Sequence, residues 1–371
     1  MKRSFMILVL KMGGTDHIHG MRRHILLVTA FVMVLLVMSV SVVLAATLPK
    51  VVIVATGGTI AMKLDPKTGG LVPAVSGDDL VASVQGLKDI ADVEVVNFSN
   101  TPSLYYTPQK WFELSQKVNE ILARPDVSGV IITQGLDAME ETAYFLDLTS
   151  KTDKPIVCTG AKREASQWDT DGPRNILNSV RVAIAKEAIG QGAMVVFNSQ
   201  INAAREVTDT SKERYETFKS GQAGFLGYVD DDRILFIRKS LRRQTLPITG
   251  TPPPVDIVAM YGGADGKFID KAIESGTQAI VVVAQGVGNV NEEIYEAIKR
   301  ARDKGIPVVI SSWVPDGRVR PKYAFKGGSK TLADLGVVFA NDLSPKKARI
   351  LLMIAMGATK DSKGLQDIFN K

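Results

Sequence analysis

Val51-Val52-Ile53-Val54-Ala55-Thr56-Gly57-Gly58-Thr59-Ile60-Ala61 is the stretch that sets the reading of the fold. Five apolar, mostly β-branched residues without polar alternation predict a strand buried on both faces, and the two glycines behind it turn the backbone sharply. The pattern recurs at Gly129–Thr133, Ile156–Thr159, Met194–Asn198, Ile257–Met260, Ala279–Ala284 and Val308–Ser311. Between these runs, Pro108–Leu122, Asp137–Leu146, Gly172–Ala188, Phe268–Ser275 and Asn291–Lys304 carry helical periodicity. Alternation of strand and helix implies an α/β fold: a doubly wound, mostly parallel sheet in a larger N-terminal domain, plus a smaller α/β C-terminal domain. The proline-rich stretch 246–255, with Pro252-Pro253-Pro254, is the expected linker between domains at 46–245 and 256–371. In such folds ligands sit beyond the carboxyl ends of the strands. The segments to read for chemistry are therefore Thr56–Thr59, Thr133–Asp137 and Gly160–Gly172.

Composition narrows that chemistry. The chain has 371 residues, 45 Lys and Arg, 39 Asp and Glu, and a formal net charge of +6. Residues 1–45 hold five of the basic side chains (Lys2, Arg3, Lys11, Arg22, Arg23) against Asp16 alone, so the remaining chain is close to neutral. That balance argues against nucleic acid as a partner. His17, His19 and His24 are the only histidines and Cys158 the only cysteine. From residue 46 onward there is no imidazole for a Ser-His-Asp triad, no Cys/His metal cluster and no disulfide framework. Neither a metal nor a cofactor is expected, and hydrolysis must use hydroxyls, carboxylates, lysine, tyrosine and backbone amides.

Arg22-Arg23-His24 precedes an uncharged, largely apolar run from Ile25 to Ala46, which contains Val43-Leu44-Ala45. A basic start, an apolar middle and small residues before a cut after Ala45 predict a signal peptide over residues 1–45. The expected location is exported, periplasmic or secreted. An uncleaved anchor is the alternative, and only then is the membrane a partner. Met21 is an alternative start for this leader.

By spacing alone, Thr59 in Thr56-Gly57-Gly58-Thr59 is either a hydroxyl nucleophile beside exposed amides or a capping residue in a tight turn. Asp137 is either a carboxylate for a substrate ammonium or the cap of the helix that follows.

Ala55-Thr56-Gly57-Gly58-Thr59-Ile60-Ala61 resembles the amino-terminal signature of bacterial exported (type II) L-asparaginases, including the related glutaminase-asparaginases. Met139–Thr149 is similar to the stretch after that family's second signature. Asp171-Gly172-Pro173, Gly224-Phe225-Leu226-Gly227, Gly286-Val287-Gly288-Asn289 and Lys347-Ala348-Arg349 follow in the family's order. The resemblance covers about Leu48 to Lys371 and implies a hydrolase without cofactor. Its substrate would be a small amino-acid amide, L-asparagine, which it converts to L-aspartate and ammonia. It further implies Thr59 as the nucleophile, Asp137 and Ser103 as substrate-binding residues, and a homo-oligomer, specifically a tetramer.

The same resemblance exposes departures. Where the family reads HGTDT, this chain has Gln134-Gly135-Leu136-Asp137-Ala138, so the relay threonine is Leu136. Where the family has its relay lysine, Val207-Thr208-Asp209-Thr210 supplies Asp209. Leucine transfers no proton, and two carboxylates at one site share a proton or recruit a cation. Lys212 is the nearest ammonium in sequence. The loop tyrosine has no counterpart in Lys67–Leu71, and Leu104 follows Ser103 where the family has a polar residue; Tyr105 and Tyr106 are nearby phenols. The leading expectation is an L-asparaginase-type amidohydrolase with impaired turnover. The alternatives are a catalytically inactive exported binding protein on this scaffold, or an amidohydrolase for a different amide.

Overall fold

The computed structural model describes residues 24, 26–33 and 47–371. Residues 26–33 are helical and exposed; the expected cleavage site at Val43-Leu44-Ala45 lies outside the described residues. Among the described residues no helix is long and apolar enough to cross a membrane.

Pro49–Lys371 forms one compact unit containing two principal sheets. The larger is built from β1 (Lys50–Ala55), β4 (Asp92–Asn97), β5 (Val127–Thr133), β6 (Ile156–Thr159), β7 (Ala193–Phe197), β8 (Gln200–Ala203), β11 (Gly227–Val229) and β12 (Ile234–Phe236). Their spatial order is β12-β11-β8-β7-β6-β5-β1-β4. The β4, β1, β5, β6 and β7 ladder is parallel, and β8, β11 and β12 add an antiparallel flank. The smaller sheet is parallel: β13 (Val255–Ala259), β14 (Ala279–Ala284), β15 (Val308–Ser312) and β16 (Val338–Phe339). The expected α/β architecture is present, with its large, mostly parallel sheet and smaller C-terminal sheet. Two short hairpins complete the strands, β2 (Met62–Leu64) with β3 (Leu71–Pro73) and β9 (Thr208–Asp209) with β10 (Phe218–Lys219).

The lack of alternation in β1 has its reason in the packing. Val52 and Val54 enter one core with Leu114 and Ala143, while Val51 and Ile53 enter the opposite core with Ile176 and Val180. A strand buried on both faces needs apolar side chains at both parities. Helix Pro108–Leu122 begins where its sequence says it must: the Thr107 side chain caps the Lys110 N–H and Pro108 occupies the first turn. β7 stops one residue short of the predicted end because Asn198 and Ser199 take φ of 47° and 62°, making a two-residue hairpin into β8. The edge strand β4, the flank β8-β11-β12 and helices Pro345–Ala355 and Ser362–Phe369 were not anticipated from the apolar runs. Helix Pro345–Ala355 packs on helix Met139–Thr149 and on β13, β14 and β15, so one core runs from the large sheet into the small one.

Candidate functional site

β1 delivers Thr56-Gly57-Gly58-Thr59 at the carboxyl edge of the large sheet. The Thr56 N–H and hydroxyl both donate to the Thr133 carbonyl, at 3.0 and 2.8 Å, so the ends of β1 and β5 are locked together. Gly58 has φ 87°, and a Cβ built on it would stand 2.1 Å from the backbone nitrogen of Gly135. Only glycine permits that approach. The contact places Thr59, first residue of a 3-10 turn over Thr59–Ala61, beside the 3-10 turn Leu136–Ala138. The leading N–H groups of such turns have no acceptor within the turn. The Thr59 hydroxyl is half-buried and makes no hydrogen bond among the described residues.

Ser103 joins the same cluster. It is 2% exposed, its Oγ accepts from the Ala138 N–H at 3.4 Å, and a Cβ on Gly135 would sit 2.7 Å from that oxygen. Asp137 is exposed, with no side-chain hydrogen bond among the described residues. Leu136 is buried against Gly160, where an added Cβ would lie 2.8 Å from Leu136 Cδ2. Its side chain therefore fills apolar space and offers no hydroxyl to Thr59. Gln134 is fully buried, and its amide nitrogen and oxygen have no partner among the described residues. The neighbouring phenols divide: Tyr105 is exposed, whereas Tyr106 is buried with its hydroxyl 3.2 Å from the Ser99 hydroxyl. Burial raises the Tyr106 phenol above its ordinary value, partly countered by the hydroxyls of Ser99 and Thr56.

Asp209 sits on the β9-β10 hairpin, where the Thr217 hydroxyl donates to its carboxylate. No hydrogen bond joins Asp209 to Asp137 among the described residues. Lys212 is exposed and forms no ion pair among them, so the nearest ammonium in sequence is not the one that answers Asp209. Instead Lys346, from helix Pro345–Ala355, places Nζ 2.9 Å from Glu140 Oε1. Burial works against the Lys346 charge, but Glu140, Glu141 and Asp209 outweigh it and raise its pKa. The adjacent Lys347 is 2% exposed and donates to the carbonyls of Arg205, at 3.0 Å, and Val207. Burial pulls its pKa down to about 8. These contacts fasten the segment leading into Asp209 to helix Pro345–Ala355.

A third loop, after β6, completes the rim. Asp171 accepts from the N–H groups of Lys162, at 3.0 and 3.1 Å, and Arg163, at 3.0 Å. Asn175 Nδ2 bonds the Gly160 carbonyl and Asp171 Oδ2, both at 3.0 Å. The sequence marks Gly160–Gly172 as a segment and Asp171-Gly172-Pro173 as a motif, but assigns no role to Asp171 or Asn175. Lys346 and Lys162 carry no local signal, because their partners are distant in sequence; Thr217 meets Asp209 across the β9-β10 hairpin.

Two family models match the chain: "Asparaginase, N-terminal" over residues 50–242 and "Glutaminase/Asparaginase C-terminal domain" over 254–369. The L-asparaginase 2 of Escherichia coli (strain K12) is 37% identical over 338 residues, covering 88% of this chain and 94% of that protein. A protein named as a probable periplasmic L-asparaginase from Haemophilus influenzae is 35% identical, covering 90% of this chain and 95% of its own length. Among solved structures, a probable cytoplasmic L-asparaginase from Campylobacter jejuni superposes with a TM-score of 0.79 at 35% identity. It covers 87% of this chain and 99% of the other. That likeness, to a protein named as cytoplasmic, goes against the exported location expected from the leader, and the expectation is withdrawn. The shared fold serves proteins named for either compartment, so the body itself carries no address. Matched over most of its length by both models and by relatives above one third identity, the chain belongs to the asparaginase family.

Proposed function

We propose that the protein is an L-asparaginase-type amidohydrolase, releasing ammonia from the side-chain amide of L-asparagine, with Thr59 as the nucleophile. The observation that carries this reading is the backbone contact of Gly58 with Gly135, which sets the free Thr59 hydroxyl beside the Leu136–Ala138 turn. In this mechanism Thr59 Oγ1 attacks the amide carbon, its proton passes to the departing nitrogen, and ammonia leaves. Water then cleaves the acyl-Thr59 ester to give the carboxylate and regenerate the hydroxyl. The Leu136 N–H is the backbone donor for the oxyanion of both steps. Exposed Asp137 takes the substrate ammonium, and Ser103 beneath Gly135 takes the carboxylate end.

Turnover is reduced in this reading because Leu136 and Asp209 stand where the resemblance places a relay threonine and lysine. Losing a positioned acid–base partner lowers a rate by about 10²–10⁴-fold. Relatives named L-asparaginase 2 support a type II sequence pattern for this chain, which says nothing of compartment. The assembly proposed by resemblance is a homo-oligomer, a tetramer, and the domain division proposed is at 246–255.

Ammonia release from L-asparagine by the purified protein tests the reading. Detectable but slow turnover is expected, abolished in Thr59→Ala and raised in the double variant Leu136→Thr, Asp209→Lys. Turnover unchanged in Thr59→Ala refutes the nucleophile. Wild-type turnover in the family's usual range refutes the impairment.

A further inference from the structure

Lys162 reaches from the loop after β6 into the hairpin carrying Asp209 and bonds the hairpin's backbone. Its backbone is fixed by the Asp171 carboxylate, and Gly160, two residues earlier, lies against Gln134 and Leu136. From that anchored root the Lys162 ammonium donates to the Ser211 carbonyl at 2.7 Å. The chemistry at Ser211 explains what the ammonium supplies. Thr217 Oγ1 receives the Ser211 N–H at 2.9 Å and lies against both Asp209 Oδ1 and the Ser211 carbonyl, the latter at 2.7 Å. A hydroxyl has one proton and cannot donate to both acceptors. Directed to the Asp209 carboxylate, it leaves the Ser211 oxygen facing the Thr217 oxygen with nothing between them. The Lys162 ammonium then supplies the Ser211 carbonyl with the donor that Thr217 withholds.

Two further contacts join the same loops. Arg163 stacks over the Tyr215 ring at 4.9 Å, and the Tyr215 hydroxyl donates to the Asp169 carbonyl at 3.4 Å. The loop after β6 and the β9-β10 hairpin thus meet along one seam, with Lys162 at its polar centre.

We propose that Lys162 is a positioning residue of the active site. Its ammonium holds the Thr208–Lys219 hairpin, through Ser211 and Thr217, so that the Asp209 carboxylate stays bonded to Thr217 instead of swinging uncompensated into the site. It also brings positive charge to a site whose sequence supplies the carboxylates Asp137 and Asp209. The catalytic half of this inference rests on the amidohydrolase reading; the structural half does not.

The test uses the full chain with Lys162→Met, Lys162→Gln and Lys162→Arg, by kcat, KM and amide hydrogen exchange across residues 208–219. The Met and Gln variants are expected to lose about 10–100-fold in kcat with little change in KM, as misplacement of a supporting group does. Their hairpin amides are expected to exchange about tenfold faster, the scale of one lost charge-assisted hydrogen bond. Arginine keeps charge and donors and should recover most of both losses. Wild-type kcat in the neutral variants, or unchanged exchange in the hairpin, overturns the proposal. A wild-type chain silent toward L-asparagine removes the amidohydrolase reading instead. Exchange, which needs no turnover, then decides Lys162: faster exchange in either neutral variant supports it and unchanged protection refutes it.

Discussion

At Thr56–Thr59 the chain is held at close range: Gly58 lies backbone to backbone against Gly135, and the Thr56 N–H and hydroxyl both bond the Thr133 carbonyl. At Val207–Lys219 the chain is held by long side chains reaching in from elsewhere, Lys162 onto Ser211, Arg163 over Tyr215 and Lys347 onto Val207. The first region has one steric solution and is set by residue types within its own turn. The second is a sum of separate contacts, each replaceable, and its placement depends on loops and a helix distant in sequence. The two regions carry Thr59 and Asp209, so the proposed nucleophile stands on the rigid part and the altered relay position on the adjustable part.

The largest test of this contrast is Gly58→Ala. A methyl at φ 87° and 2.1 Å from Gly135 nitrogen forces the β1 and β5 turns apart. The expected loss is above about 4 kcal/mol, read from denaturant midpoints, or failure to fold. A well-folded Gly58→Ala protein would break the claim that this region has one steric solution. Smaller is Asp171→Ala, which strips the acceptor from the Lys162 and Arg163 N–H groups and from Asn175. Removing several hydrogen bonds to one partly buried carboxylate should cost about 2–3 kcal/mol. It should also speed exchange in the hairpin, although no residue of the hairpin has changed. Smallest is Arg163→Ala, for which loss of the stack on Tyr215 predicts about 0.5–1 kcal/mol, measured in the same denaturation series. An effect of Arg163→Ala as large as that of Gly58→Ala would erase the distinction between the two regions.

The contrast also explains how much could be read from the residues alone. Val51–Ala55 and its glycine turn announce themselves because burial on both faces and close backbone approach each demand a residue type at a known position. Ser103, Thr59 and Leu136 fall in one cluster for the same reason, since short turns at the sheet edge fix where they go. The two-residue hairpin at Asn198-Ser199 is hard to read from sequence because it follows the apolar run directly and contains no glycine. Lys346 was missed because helix Pro345–Ala355 meets Glu140 only through tertiary packing. Lys162 was missed because its partner is a carbonyl 49 residues on, and a carbonyl has no sequence signature. Lys212 is the nearest ammonium along the chain, yet adjacency in sequence does not fold this exposed lysine back onto its own hairpin.

The Lys347 clamp carries a consequence for synthesis of the chain. The Arg205 and Val207 carbonyls receive their ammonium from a residue 142 and 140 positions later. A nascent chain can lay down β1, β5 and the Thr59 turn while its tail is still in the ribosome, since all their partners have already emerged. The segment leading into Asp209 has no such opportunity. It waits for Lys347 to emerge before its buried Arg205 and Val207 carbonyls are satisfied. Emergence of Lys347, rather than formation of the large sheet, is therefore the event after which the whole site can assemble.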